Sequence, residues 1–460
     1  MVDRVELNCL LNVDTVPAGG ELRLVYLLVE VQPDENAPPV QAPVNMAVVL
    51  DVSESMRLPV LSQEQFRELS QSGKVRQTVS DGVPVWTFTS IPEHIRRQAP
   101  SNLEMVQSAI ARWAGYFSKA DRISLVAFAE RAEVLLRGVP GSDSGPLVEA
   151  LSVSGSIQLG DETDIAAGLE VGLAEVQRVQ AQAPGTISRA LVLTDGFTRN
   201  TEGVMRLARQ AREQGTAVST VGIGTDFNEK LLVELADSSL GNAYFARVPQ
   251  EIPTAFEQEL MSVQSVALRH VQVEVRTSVG VEVRRAFKVR PAIAPARGAL
   301  KEGRTLTVPV GDLDPARPPS LLLELVVPPQ PGGVFRIARL SVSHGTQSGQ
   351  REQAGARDVV LNYSTSRVQE RPDPAVMSVV ERVMAYVLQT RALDDLAAGN
   401  RAAATQKLRA AATRLLSAGE ESLARTVQLE AERIERQGQA SPEVAKEIRY
   451  ATRKLTTRLD

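Results

Sequence analysis

Residues 45–55 read NMAVVLDVSES, and this stretch decides the fold. Residues 45–50 are almost wholly apolar, and oxygen-bearing side chains follow at Asp51, Ser53 and Ser55. A short apolar run of this kind is typical of a strand buried on both faces of a parallel sheet. Ligands of open α/β sheets bind at the carboxyl ends of the strands. The sequence therefore predicts a ligand site directly after this strand.

The same pattern recurs further along the chain. Three more apolar runs are ISLVAF (123–128), ALVLT (190–194) and AVSTVGI (217–223). Amphipathic helical patterns separate them, and the helix that follows Ser101 begins with the capping box formed by Ser101 and Glu104. Further helices are expected over 163–180, 202–214, 229–237 and 251–262. Strands that alternate with helices predict a doubly wound, mostly parallel, Rossmann-like α/β domain over 44–262.

The segments on either side of this domain have a different character. Residues 1–43 and 263–366 contain Val- and Leu-rich strand patterns with Pro- and Gly-containing turns. Because two strands alone are only marginally stable in water, we expect residues 1–43 to pair with the later β segment. The α/β domain is then inserted in an all-β sandwich. Residues 367–460 are rich in Ala, Leu, Arg and Glu and predict a C-terminal segment of three or four helices.

Composition excludes several classes of function. The chain has 460 residues and a formal net charge of −4, which gives no electrostatic footprint for nucleic acid. Cys9 is the only cysteine, so a disulfide framework is excluded, and the three histidines have no zinc-site spacing. No apolar run is long enough to cross a membrane, and the start lacks a cleavable apolar leader. We expect a cytoplasmic protein without membrane insertion.

Two further oxygen-bearing residues follow the pattern set by the first strand. Thr163 lies in the stretch GDETDI (160–165), at the start of an expected helix, and Asp195 follows the strand ALVLT. Asp51, Ser53, Ser55, Thr163 and Asp195 therefore supply a shell of hard oxygen donors, which suits Mg²⁺. The sequence leaves Mn²⁺ and Ca²⁺ open as alternatives.

These five residues, in this order, resemble the metal-ion-dependent adhesion site of a von Willebrand factor A (VWA) domain. The stretch AVSTVGIGTDFNEKLLVELADSSLGNAYF is similar to the end of that domain, and the resemblance covers about 44–262. It implies that hydroxyls of Ser53 and Ser55, with Thr163 as a third candidate, bind the metal directly. Asp51 and Asp195 would act through water or orient the hydroxyls.

The resemblance also implies a function. Uncharged ligands leave the cation poorly neutralised, so an Asp or Glu of a partner protein would complete its coordination. The chain would then be a scaffold or adaptor of the intracellular bacterial VWA type, without enzyme activity. Resemblance to such proteins adds AAA+ ATPases as one partner class.

Two features depart from the family pattern. Asp161 and Glu162 stand before Thr163, where relatives carry small residues; they would either weaken an acidic partner or ligate the metal. Residues 57–100 form an insertion that leaves from the metal loop, with a β-hairpin expected around Asp81-Gly82. We expect it to act as a lid or specificity element that presents Glu64, Asp81 or Glu93.

Other interpretations of these residues are structural or enzymatic. Asp51 to Ser55 could form a solvated turn that caps a helix. Alternatively, Asp51 could be the phosphoryl acceptor of a Mg²⁺-dependent phosphoryl-transfer or hydrolytic enzyme, although Ser53 stands where a haloacid-dehalogenase-type phosphatase needs a second Asp. Ser142-Asp143-Ser144 between glycines predicts a loop.

Overall fold

The computed structural model describes residues 5–34, 42–80, 83–224, 227–296, 298–301, 304–345 and 350–456. The chain divides into two compact units: Ala42–Leu260, and Met1–Gln41 together with Met261–Asp460. The strands are β1 (Val5–Leu11), β2 (Thr15–Pro17), β3 (Arg23–Pro33), β4 (Val44–Asp51), β5 (Val75–Ser80), β6 (Val83–Phe88), β7 (Arg122–Phe128), β8 (Ala132–Pro140), β9 (Ile187–Thr194), β10 (Ala217–Ile223), β11 (Ala243–Ala246), β12 (Leu268–Thr277), β13 (Glu282–Arg290), β14 (Ala294–Pro295), β15 (Ala299–Lys301), β16 (Thr305–Leu313), β17 (Ser320–Val327), β18 (Gly333–Gly345) and β19 (Arg351–Ser364).

The helices are α1 (Glu54–Arg57), α2 (Gln63–Gln71), α3 (Glu93–Gln98), α4 (Asn102–Trp113), α5 (Ser144–Ser154), α6 (Ile165–Gln182), α7 (Thr201–Glu213), α8 (Glu229–Ser239), α9 (Ile252–Gln264), α10 (Pro374–Ala397), α11 (Arg401–Ser417), α12 (Glu421–Gln437) and α13 (Pro442–Arg453). Short 3₁₀ turns cover Ala114–Tyr116 and Pro249–Glu251.

The unit Ala42–Leu260 is built on one sheet with the strand order β11-β10-β9-β4-β7-β8. The four apolar runs of the sequence form β4, β7, β9 and β10, and these pair in parallel. Strand β8 runs antiparallel to β7 at the edge. Every residue of β4, β9 and β10 is buried, so both faces of the sheet centre are covered. Strand β4 is the topological switch point, which is where this class of sheet places its ligands.

Helix starts in this unit follow local side-chain chemistry. Ser101 and Glu104 form the reciprocal capping box at the start of α4. The Asp164 side chain accepts hydrogen bonds from the backbone N–H groups of Ala166 and Ala167 and so caps α6. Helix α6 packs across β4, β7 and β9. The loop before α6 is therefore fixed next to the carboxyl ends of these strands.

The insertion between β4 and α4 is a small substructure with its own apolar centre. It contains α1, α2, the antiparallel hairpin β5-β6 and α3. Leu69, Ile95 and Ala99 are buried together in it. A backbone hydrogen bond of 3.1 Å from Val60 N–H to the Pro100 carbonyl ties its two ends. The predicted hairpin is present, although its turn at Asp81-Gly82 lies outside the described residues.

The second unit contains two sheets and a group of helices. The sheets have the strand orders β1-β3-β17-β13-β14 and β15-β16-β12-β18-β19-β2. Strand β3 pairs with β17, with Leu27 opposite Leu323, so the strands before the α/β unit join those after it. Inward-facing residues of both sheets, such as Val29 and Val273, lie in one apolar core. Alternation of buried and exposed residues along β12 produces this one-sided packing.

Helices α10 to α13 cover the other face of the first sheet. Leu28, Phe287 and Leu322 from β3, β13 and β17 share a core with apolar residues of these helices. Asp373 caps α10 through the Val376 N–H at 3.0 Å, and Pro374 takes the first helical position. The C-terminal segment is helical, as the sequence predicts.

Candidate metal site

Two neighbouring parallel strands bring the first acidic residues together. Asp51 is the last residue of β4, and Asp195 follows the last residue of β9. Leu50 of β4 is paired with Leu193 of β9, so the two strands end at the same level. The site therefore lies at the carboxyl edge of the sheet, beside the switch point.

Asp51 is fully buried and organises the loop that follows it. Its Oδ1 accepts a 2.9 Å hydrogen bond from the Ser53 backbone N–H, and its Oδ2 accepts a 2.5 Å hydrogen bond from the Thr194 hydroxyl. Burial raises the pKa of Asp51 to about 7, with a further contribution from the negative charge of Asp195, while the hydrogen bonds from Thr194 and Ser53 oppose the rise. The position of Asp51 suits an orienting carboxylate.

Three other side-chain oxygens converge beside it. The Ser55 hydroxyl donates a 2.7 Å hydrogen bond to Asp195 Oδ1, and the Ser53 and Ser55 Oγ atoms lie 3.2 Å apart. Neighbouring ligands of an octahedral Mg²⁺, with bonds near 2.0–2.1 Å, lie about 2.9 Å from one another. The observed spacings bracket that value, so this donor set fits a small hard cation.

Thr163 lies against Gly196, the residue that follows Asp195. A methyl group at Gly196 would lie only 2.6 Å from Thr163 Oγ1, so the backbone at 196 allows the threonine to approach because it has no side chain. The structure links Asp51, Ser53, Ser55 and Asp195 by short contacts, and it places Thr163 against the residue that follows Asp195. In the described part of the chain, no three His, Cys, Asp or Glu side chains form a metal cluster.

Two residues that contact the site have no place in the predicted motif. Thr194 holds Asp51 and also accepts a 3.1 Å hydrogen bond from the Gly196 N–H. Asn102 donates a 2.8 Å hydrogen bond to Asp195 Oδ2. Their positions in the sequence could have identified both residues. Thr194 is the last residue of the strand before Asp195, and Asn102 follows the capping residue of α4. Each fixes one oxygen of an acidic residue.

The two acids before Thr163 lie on the exposed rim. The backbone N–H groups of Asp161 and Glu162 donate weak hydrogen bonds of 3.3 and 3.4 Å to Glu130 Oε1. The Glu162 carboxylate lies 3.5 Å from the Arg199 guanidinium, in an ion pair of exposed side chains. Glu162 is therefore engaged with the loop that follows Asp195. Metal ligation by Asp161 or Glu162 stays a prediction.

Of the three acids of the insertion that the sequence offers as metal-facing residues, the two described ones lie in different elements. Glu64 lies in the first turn of α2 and Glu93 in the first turn of α3, whereas Asp81 is outside the described residues. The lid or specificity role of residues 57–100 therefore also stays a prediction.

Comparison with known proteins identifies the domains. The profile of the von Willebrand factor type A domain matches residues 96–258, and the profile of the Sll0103-like C-terminal α-helical domain matches residues 374–458. The chain therefore contains a VWA domain with the VWA-type α/β fold, followed by a C-terminal α-helical domain. The VWA match begins after Asp51, Ser53 and Ser55, so these three residues are placed by the structure.

Proteins from several bacteria align with this chain at low sequence identity. The chain is 22% identical to the Synechocystis protein sll0103 over 422 residues, covering 89% of this chain and 87% of that protein. It is 25% identical to a UPF0353 protein of Mycolicibacterium gilvum over 182 residues, which cover 34% of this chain and 53% of the relative. A von Willebrand factor type A structure from Catenulispora acidiphila has the same fold, with a TM-score of 0.72, 16% identity, and coverage of 98% of this chain and 97% of that one.

Within the described residues, none of the helices combines the length and apolarity that crossing a bilayer requires.

Proposed function

We propose that this chain is a metal-dependent protein–protein interaction module. In this proposal Ser53 and Ser55, with Thr163, hold Mg²⁺, and Mn²⁺ or Ca²⁺ are the alternative ions. The observation that carries the proposal is the position of the Ser55 hydroxyl, which lies 3.2 Å from the Ser53 hydroxyl and 2.7 Å from Asp195 Oδ1. An Asp or Glu of a partner protein would complete the coordination.

The charge of the ligands explains why a partner carboxylate would bind. Serine and threonine hydroxyls are uncharged, so they leave most of the charge of a divalent cation uncompensated. Asp51 contributes little direct neutralisation if both its oxygens keep their hydrogen bonds to Ser53 and Thr194. The cation would then attract a further negatively charged oxygen.

The alternative is a Mg²⁺-dependent phosphoryl-transfer or hydrolytic enzyme with Asp51 as the nucleophile. A nucleophilic carboxylate must reach the substrate, and Asp51 has no exposed surface. Both of its oxygens also accept hydrogen bonds from this chain. We therefore propose that the chain is not an enzyme. Phosphatase turnover with Mg²⁺ that D51N abolishes would support the enzyme instead.

The rest of the chain would serve as a scaffold. We take the two sheets of the second unit as one β-sandwich into which the VWA domain is inserted, and the C-terminal helices as a further docking surface. Resemblance to bacterial VWA proteins is the ground for proposing an AAA+ ATPase as one partner.

The test compares metal and partner binding in the full chain. Isothermal titration of Mg²⁺ and Mn²⁺ into wild type should show one site, and S53A/S55A should weaken it by roughly 100-fold or more, because changes even outside the direct ligands cost 10–100-fold. The matched control is S108A/S152A, which removes two exposed helical hydroxyls of the same domain that bond only to backbone carbonyls.

Partner binding is then measured by pull-down with Mg²⁺, with EDTA and with S53A/S55A. A partner captured with Mg²⁺ and lost in the other two conditions supports the proposal. Equal capture under all three conditions would contradict it, since recognition would then use another surface.

A further inference from the structure

Phe197 lies next to the metal site and is unusually exposed. It is two residues beyond Asp195, and 59% of its surface is accessible. Its chain neighbours Gly196 and Thr198 are buried. An exposed aromatic ring between buried neighbours is a feature that interfaces use as an anchor.

The backbone on both sides of Phe197 is fixed by contacts of the site itself. The Gly196 N–H donates to the Thr194 hydroxyl at 3.1 Å, and Gly196 packs against Thr163. On the other side, Thr198 Oγ1 accepts a long 3.4 Å hydrogen bond from the Ile165 N–H. The ring is therefore presented outward by a loop that is held on both sides. Binding of a partner would then cost little conformational entropy in this loop.

Electrostatics gives a reason why a carboxylate alone would bind weakly here. Exposed acids lie at the start of α1, in the turn after β7 and in the loop before α6, and they partly cancel the attraction of the cation for another acid. They are Glu54, Glu130, Asp161 and Glu162, with Arg199 as a cation paired to one of them. Further affinity, beyond the bond from the cation to the acid, would therefore come from a contact that charge does not oppose, and Phe197 offers one.

We propose that Phe197 is a specificity-determining residue that selects partners with a large apolar side chain near the metal-binding acid. This inference rests on the proposed function. Phe197 is two positions beyond Asp195, and two residues of extended chain span about 7 Å. The apolar residue of the partner accordingly lies within about two positions of its Asp or Glu. The recognised segment is an acidic residue with an adjacent Leu, Ile, Met, Phe or Trp.

The experiment selects peptides on the full chain without assuming a partner. Phage-displayed random dodecapeptides are panned on immobilised wild type with Mg²⁺, and bound phage are eluted with EDTA. Enriched peptides are synthesised, and their affinities for wild type, F197A and Y116A are measured by fluorescence anisotropy. Tyr116 is a matched control because it is 61% exposed and follows the far end of α4, about 18 Å from Asn102.

The expected result is a set of EDTA-sensitive peptides that combine an acid with an apolar neighbour. F197A should weaken their binding by about 10-fold, as loss of an aromatic anchor does, and Y116A by less than about twofold. Replacing the apolar residue of the peptide with Ala should cost wild type a similar factor and cost F197A little. Mg²⁺ affinity, measured separately, shows whether the F197A loss arises at the ring or at the metal.

Two results would overturn the inference, and they differ from each other. In the first, EDTA-sensitive peptides need an acid but no apolar neighbour and bind F197A as well as wild type. This result would rule out the role of Phe197 and leave the proposed function intact. In the second, every recovered peptide binds without metal and binds S53A/S55A as well as wild type. This result would rule out the proposed function and this inference with it.

Discussion

Replacing Thr194 with Val tests whether one buried hydroxyl connects Asp51 to the backbone of Gly196. The variant keeps side-chain shape but removes the 2.5 Å hydrogen bond to Asp51 and the acceptor of the Gly196 N–H. Above pH 7, where Asp51 is ionised, a hydrogen bond to its carboxylate contributes about 1.5–3 kcal/mol, and a buried N–H without an acceptor costs about 1–3 kcal/mol. The added methyl group offsets about 1 kcal/mol. We expect a net loss of about 3 kcal/mol.

Scanning calorimetry of the full chain in EDTA measures this loss. The transition of the α/β unit should fall by roughly 6–12 °C, since a unit of this size loses about 2–4 °C per kcal/mol. The control is T220V, which removes a 3.2 Å hydrogen bond from a buried threonine of the same sheet to the Leu232 carbonyl, with no charged partner. If T194V lowers the transition no more than T220V does, Thr194 does not hold Asp51 in the way the contacts indicate.

Three other predictions concern separate parts of the chain. G196A should weaken Mg²⁺ binding by about 10-fold in isothermal titration, because a methyl group 2.6 Å from Thr163 Oγ1 must displace that donor. R285A should lower the free energy of unfolding, measured by urea denaturation, by about 3 kcal/mol, because it leaves the fully buried Glu324 carboxylate without its ion pair. The double variant R285L/E324L should recover most of this loss. Burial raises the pKa of the Cys9 thiol from 9.0 to about 11, so below pH 9 the reactive thiolate is about 100-fold scarcer in the native protein than in the unfolded chain. Cys9 should therefore react with Ellman's reagent about 100-fold more slowly in buffer than in urea. An equal rate in both conditions would refute the burial of this thiol.

The parallel sheet could be predicted because its central strands are buried on both faces. Such strands need apolar residues at consecutive positions, and the runs at 45–50 and 190–194 satisfy that need without any knowledge of neighbours. Helix starts were equally local: the capping box at Ser101 depends only on residues three apart. Local chemistry and the global fold agree in these segments, which is why the sequence pattern was sufficient.

Other elements depend on contacts that periodicity does not encode. Strand β8 at the sheet edge has mixed burial, so it carries no continuous apolar run to mark it as a strand. Helix α5 begins at Ser144, the last residue of the stretch expected to be a loop, and Gly145 and Pro146 fall in its first turn. Proline is tolerated there, since the N–H groups of a first turn have no partner within the helix. The glycine and proline were therefore a sign of a helix start.

The candidate site shows the same division between what spacing determines and what packing determines. Strand ends at one edge of a parallel sheet lie together whatever their side chains are, so the grouping of Asp51 with Asp195 follows from the order of strands. The orientation of each oxygen depends instead on residues from other segments, Thr194 for Asp51 and Asn102 for Asp195. These partners carry no metal-ligand signature, because an amide or a hydroxyl at a strand end or helix start is common. Affinity for a cation should therefore also fall, by about 10–100-fold, when either of these two positioning residues is replaced.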